Sequence, residues 1–168
     1  PSAMGITSNL AAAANPPHLT AAFVVVAPQS LFYESRFIGG VFKESHAGGW
    51  MRANGAGDQV PAMKKRVVMD EQWRATDFIH FRHNIDIPVY NVGGWYDIFL
   101  KGNIENFRWL QREGLPGANG NQKLLMGPFG HGALSGDLEY PDAGGLAAFT
   151  DIEIRWFDHW LKGEDNGI

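Results

Sequence analysis

The sequence predicts an α/β fold with a parallel sheet, and three observations carry that expectation. Short apolar runs rich in β-branched residues, Ala21–Ala27 and Ile87–Val92, read as strands buried on both faces. Segments of helical spacing alternate with those runs along the chain. Chemistry-bearing polar residues fall just past the carboxyl ends of the strands, where open parallel sheets build their sites.

Composition fits one domain with a real core. The chain has 168 residues, 45% of them hydrophobic, which is the globular range. A net charge of -4 gives no basic footprint for nucleic acid. No stretch approaches the roughly 18 apolar residues that cross a bilayer, so neither nucleic acid nor membrane is an expected partner. The first residues lack the charged, apolar and small-residue succession of a signal peptide, and the compartment stays open. With no cysteine, disulfides, thiolate zinc sites and a cysteine nucleophile drop out together. Glycine supplies 21 residues, well above the usual share of about 7%, and aromatics supply 12%. That pairing suggests tight turns around a pocket.

Ser2 opens the chain as either a nucleophile or a helix N-cap. After it, the Ala-rich segment Ala3–Ala14 reads as a helix with Ile6 and Leu10 on one side, stopped by Pro16 and Pro17. The run Ala21–Ala27 is the first strand, ended by Pro28. From Leu31 to about Asn84 regular patterning dissolves into short aromatic pieces punctuated by glycine, which reads as an inserted cap. Within it a helix is expected from Asp70, as N-cap, through Trp73, Phe78 and Phe81. A second strand, Ile87–Val92, leads into Gly93-Gly94-Trp95-Tyr96-Asp97. A helix over Lys101–Arg112 follows, with Ile104, Phe107 and Leu110 at helical spacing. The third strand, Lys123–Met126, runs into Gly127-Pro128-Phe129-Gly130-His131. A Gly- and Asp-rich loop and an amphipathic helix, about Phe149–Lys162, complete the chain. The expected division is 1–30 as nucleophile turn, helix and strand, 31–84 as cap, and 85–168 as the remainder of the core.

A hydroxyl (Ser2), a carboxylate (Asp97) and an imidazole (His131) thus come to one sheet edge in the order Ser, Asp, His. That is the α/β-hydrolase order. The serine needs a neutral imidazole to take its proton, and the carboxylate must fix the imidazole tautomer. In Ser2-Ala3-Met4-Gly5, Gly5 lets the helix approach the sheet and the Ala3 N–H can point at an oxyanion. The first glycine of a Gly-x-Ser-x-Gly turn would lie before residue 1.

Gly-Gly-Trp-Tyr-Asp-Ile-Phe at 93–99, Gly-Pro-Phe-Gly-His at 127–131 and Arg-Trp-Phe-Asp-His-Trp-Leu-Lys-Gly at 155–163 resemble the cocaine-esterase (CocE/NonD-type) and X-Pro dipeptidyl-peptidase acyl hydrolases. Ser-Ala-Met-Gly-Ile-Thr followed by Asn-Pro-Pro-His-Leu is similar to their nucleophile turn and helix. The resemblance covers nearly the whole chain. It implies a partial α/β-hydrolase fold in which Ser2 is the nucleophile, Asp97 orients the base, His131 is the general base and the Ala3 amide is one oxyanion donor. It implies no cofactor and no metal. Strands before the nucleophile, a tyrosine hydroxyl as second oxyanion donor and a C-terminal β-sandwich have no counterpart here, so the chain is expected to be an internal stretch of a larger hydrolase. The isolated chain is expected to be poorly stable and close to inactive.

The remaining candidates are weaker. Asp86 reads as a solvated strand start, and Asp137 and Asp142 as turn formers. His80 and His83 form His-x-x-His near Asp86, without a third ligand or the Glu of a zinc motif. His159 reads as packed structure, His18 as the start of a turn, and His46 as a possible substrate contact in the cap. Phe32, Tyr33, Trp50 and Trp73, with Phe37, would line an acyl pocket or form a satellite core. Trp95 or Tyr96 would line the site beside Asp97, and Trp156 and Trp160 would dock the last helix. The substrate is then a small ester, including an α-amino acyl ester, or a short peptide with an X-Pro terminus. The peptidase needs an acidic site for a free amino group, for which Glu34 and Glu44 are the cap candidates. A reading of another class is a non-catalytic binding module.

Overall fold

The computed structural model describes residues 1–132, 134 and 149–168. Helix α1 (Ala3–Ala13) lies directly on strand β1 (Ala22–Val25). Its fully buried residues are Gly5, Asn9, Ala12 and Ala13, with Leu10 partly buried against the same core. The small residues reflect proximity: a Cβ on Gly5 would stand 2.7 Å from the Val25 carbonyl oxygen. Asn15 and His18, both with positive φ, turn the chain after α1.

Residues 31–74 are built of short pieces, whereas Phe78 and Phe81 already pack with the main core. A π-helical turn over Leu31–Arg36 starts at Ser30, whose Oγ accepts from the Tyr33 N–H at 2.9 Å. Strands β2 (Phe37–Ile38) and β3 (Val41–Phe42) pair antiparallel across Gly39 and Gly40. Both glycines have positive φ, as a two-residue hairpin turn of the primed type requires. A second π-helical turn, Glu44–Gly48, precedes α2 (Gly49–Ala53), α3 (Val60–Lys64) and α4 (Glu71–Arg74). Phe32, Phe37 and Trp73 make a small core of their own among these pieces.

Asp70 does cap α4, its Oδ1 accepting from the Trp73 N–H at 2.8 Å. The expected continuous helix to Phe81 stops at Arg74. Asp77 is fully buried and accepts from Ser30 Oγ (2.6 Å) and from the Leu31 and Phe32 N–H groups (3.1 and 3.0 Å). Its backbone is extended to reach them, which ends the helix.

The chain then returns to the sheet as β4 (Val89–Tyr96), α5 (Leu100–Glu113), β5 (Lys123–Gly130) and α6 (Thr150–Lys162). The sheet order is β1-β4-β5, all parallel, with Ala22 opposite Val89 and Tyr90 opposite Lys123. The main core joins Ala12, Ala13, Val24 and Ala27 to Phe78, Ile85, Val89 and Leu110. Trp156 anchors α6: it is 1% exposed, meets Tyr90 edge-on and donates its Nε1–H to the Ala22 carbonyl at 3.0 Å. Trp160 packs on Trp156.

Both long strands run beyond their expected ends, β4 to Tyr96 and β5 to Gly130. Gly94 makes this possible, since a Cβ there would collide with the Phe129 carbonyl. The register shifts between Gly94 and Tyr96, and the two strands finish side by side immediately before Asp97 and His131.

Candidate active site

Three elements deliver three side chains to the carboxyl edge of the sheet. Ser2 sits at the entry to α1 with φ 58° and ψ -115°, a left-handed backbone that serine adopts only under constraint. The constraint is visible: the Ser2 N–H donates to the Val25 carbonyl at 3.0 Å, while the Ser2 carbonyl accepts from the Ile6 N–H at 2.9 Å. Ser2 makes no side-chain capping hydrogen bond. Its Oγ lies instead 2.9 Å from Nε2 of His131.

Nδ1 of His131 is 2.9 Å from Oδ2 of Asp97. The Asp97 side chain is completely shielded from solvent, and its Oδ1 accepts from the Phe99 N–H at 2.7 Å. A carboxylate can only accept, so Nδ1 donates to it, and Nε2 is the ring nitrogen that faces the serine hydroxyl. The edge-on rings of Phe99 (5.1 Å) and His46 (5.9 Å) flank the imidazole. Burial first, then the charges of Lys43, His131 and Arg36, push the His46 imidazole down to about 4, so it is neutral near pH 7.

A narrow cleft opens beside Ser2, lined by Ala3, Ile6, Ser35, Arg36, His46, Trp50 and Phe99. Of the aromatic candidates, the structure brings Trp50 to this cleft. Phe32 and Trp73 are buried in the satellite core, while Tyr33, Trp95 and Tyr96 are exposed and are not among the residues lining the cleft. Phe99, Ser35 and Arg36 escaped the sequence reading. Phe99 alone had a local signal, two residues after the carboxylate in the Gly-Gly-Trp-Tyr-Asp-Ile-Phe stretch.

Several of the other acids and histidines have structural partners. Both Glu34 oxygens accept backbone N–H groups, from Gly102 (2.7 Å) and Gln29 (2.8 Å), and burial pushes its carboxyl up to about 7. Glu44 is ion-paired with Arg52 and Lys64. Asp86 caps a turn by accepting from the Gly117 N–H at 2.7 Å, and His159 bonds the Glu164 carbonyl at 2.8 Å. His80 and His83 join no group of three metal-ligating side chains among the described residues. Asp137 and Asp142 lie outside the described residues.

A family model for X-Pro dipeptidyl-peptidases (S15 family) matches residues 51–133, a span that holds Asp97 and His131. Two crystal structures of a CocE/NonD family hydrolase from Staphylococcus aureus superpose on 99% of the chain. Their TM-scores are 0.70 and 0.63, at 18% and 19% identity. The chain spans 29% and 28% of those hydrolase chains. No curated protein sequence matches. The resemblance drawn from the motifs is thus met by both comparisons, and the fold is that of the CocE/NonD hydrolases.

Proposed function

We propose that this chain carries the reacting side chains of a serine hydrolase that cleaves carboxylic esters, α-amino acyl esters included, through an acyl-serine. The observation that supports it is the relay Ser2 Oγ–His131 Nε2–His131 Nδ1–Asp97 Oδ2, with both contacts at 2.9 Å and the serine on a strained turn.

In this reading Nε2 of His131 takes the Ser2 proton as Oγ attacks the ester carbonyl. Asp97 holds the ring in place and stabilises the imidazolium. The Ala3 N–H, in the first turn of α1 where amides lack intrahelical partners, donates to the tetrahedral oxyanion. His131 then gives its proton to the departing alkoxide, leaving the acyl group on Ser2. Water attacks the acyl carbon while His131 takes its proton, and the proton returns to Ser2 as the acid leaves. The upstream tyrosine that the family resemblance implies would be the second oxyanion donor, so the full-length protein is the active form in this reading.

A dipeptidyl-peptidase of the X-Pro kind is the second reading, favoured by the family model over residues 51–133. It requires a free carboxylate to hold a substrate amino terminus. Among the described residues the two cap candidates, Glu34 and Glu44, are both committed elsewhere, which favours the esterase. A binding module is disfavoured because a mere N-cap would turn the Ser2 hydroxyl toward the helix.

Fluorophosphonate labelling of the full-length protein, followed by peptide mass mapping, tests the proposal. A label on Ser2, abolished by His131→Ala, is the expected result. An unlabelled Ser2 would sink it.

A further inference from the structure

Among the described residues, the Arg36 guanidinium in the cleft beside Ser2 has no counter-charge. Arg36 is half-buried, and its Nη1–H donates to Ser35 Oγ at 2.7 Å. Among the described residues it forms no ion pair, and no acidic group is among the causes acting on its titration, which is governed by burial alone. Arginine is rarely withdrawn from water unless paired.

Among the described residues, the carboxylates in the neighbourhood are spoken for. Asp97 holds His131 and the Phe99 N–H, and Glu34 holds two backbone amides. Among the described residues, the other titratable groups near the cleft add no negative charge: Lys43 donates to the Glu34 carbonyl at 3.1 Å, and His46 is neutral. In a chain of net charge -4, this is a local patch of opposite sign.

The geometry is also that of a receptor. The guanidinium lies over the Trp50 ring, 5.7 Å from its centroid, which restrains the plane of the fork while leaving donors beyond the Ser35 bond. Ala3, Ile6, Trp50 and Phe99 give the cleft apolar walls. Ser2 and Arg36 line the same cleft.

We propose that Arg36 binds an ionised carboxylate of the substrate, so that the preferred esters carry a second, free carboxylate group. This rests on the serine-hydrolase reading and narrows its substrate class. Arg36 takes no part in proton transfer; it holds the remote end of the molecule while the ester carbonyl meets Ser2. The match is one of charge and fork geometry, with the carboxylate accepting from guanidinium N–H groups.

The test uses the full-length protein and two matched pairs of esters. Mono-p-nitrophenyl adipate against p-nitrophenyl hexanoate places the charge on the acyl side. The hexanoyl ester of 4-hydroxybenzoate against phenyl hexanoate places it on the leaving group. For each pair the ratio of kcat/KM, charged over neutral, is read in the wild type, Arg36→Gln and Arg36→Lys. On one of the two pairs, Arg36→Gln is expected to lower the ratio by about tenfold or more, mainly through KM, as loss of a hydrogen bond to a charged group does. Arg36→Lys is expected to retain part of it. Because each ratio is internal to one protein sample, partial misfolding does not mimic the effect. Ratios unchanged by Arg36→Gln on both pairs, with turnover persisting, overturn the assignment of Arg36 and leave the hydrolase standing. A wild type that hydrolyses none of the esters and takes no fluorophosphonate label overturns both.

Discussion

Replacing Glu34 by glutamine removes a buried charge that ties the cap to the sheet layer. Glu34 joins the first π-helical turn to Gln29 and to Gly102 in the first turn of α5, 68 positions downstream. Burial pushes its carboxyl up from 4.5 to about 7, against the pull of those two amides. A carboxyl raised in the folded state binds more protons there than in the unfolded chain between those two values. Its contribution to stability is therefore complete below about pH 4.5 and is lost as the pH rises through 7. A shift of that size corresponds to about 3 kcal/mol, and at 8% exposure solvent screening does little to reduce it. Glutamine keeps the shape and one acceptor but does not titrate. Urea denaturation of the wild type and of Glu34→Gln, at intervals from pH 4.5 to 8, isolates the effect as a difference. The wild-type midpoint should fall relative to the variant by roughly 1–2 M across that interval. Midpoints that move in parallel would show that Glu34 ionises normally, and the reasoning from burial would be refuted.

Other perturbations act at the relay and its supports. Asp97→Asn should lower the fluorophosphonate labelling rate of Ser2 by roughly 10³–10⁴, because the amide reverses the tautomer of His131 while preserving shape; a rate within tenfold of wild type would count against Asp97. Gly5→Val should lower the melting temperature by several degrees, since the new Cβ meets the Val25 carbonyl at 2.7 Å, and should slow Ser2 labelling as α1 lifts. Asp77→Ala strands the Ser30 hydroxyl and two buried amides, so a loss of about 3 kcal/mol or more is expected in denaturant titration.

What the sequence made legible was whatever has a local signature. Buried strands announce themselves as β-branched runs, so the two strand ends that carry Asp97 and His131 were found within a few residues. Ser2 is ambiguous in sequence because nucleophile turns and N-caps share residue types; in the structure its side chain makes no capping hydrogen bond and lies beside His131 Nε2. The cap was opaque for a physical reason. Its anchors are carboxylates reaching backbone amides far away, Asp77 to Leu31 and Phe32 and Glu34 to Gly102, and no periodicity encodes such bonds. The same holds for the cleft wall. Arg36 and Ser35 reach it through a π-helical turn, whose spacing matches neither the 3.6 nor the 2.0 period.

The distance along the chain between Ser2 and His131 has a kinetic consequence. The two partners of that 2.9 Å contact are 129 positions apart, and the β1-β4-β5 sheet that aligns them is wholly parallel. Parallel pairing closes long loops before any contact rewards it, so sheets of this kind are slow to assemble. α1 and its turn can form early from local contacts, yet the Ser2 hydroxyl has no imidazole beside it until β5 has docked beside β4. Reactivity at Ser2 should therefore appear last during refolding, behind the recovery of helical circular dichroism, and serve as a reporter of completed topology.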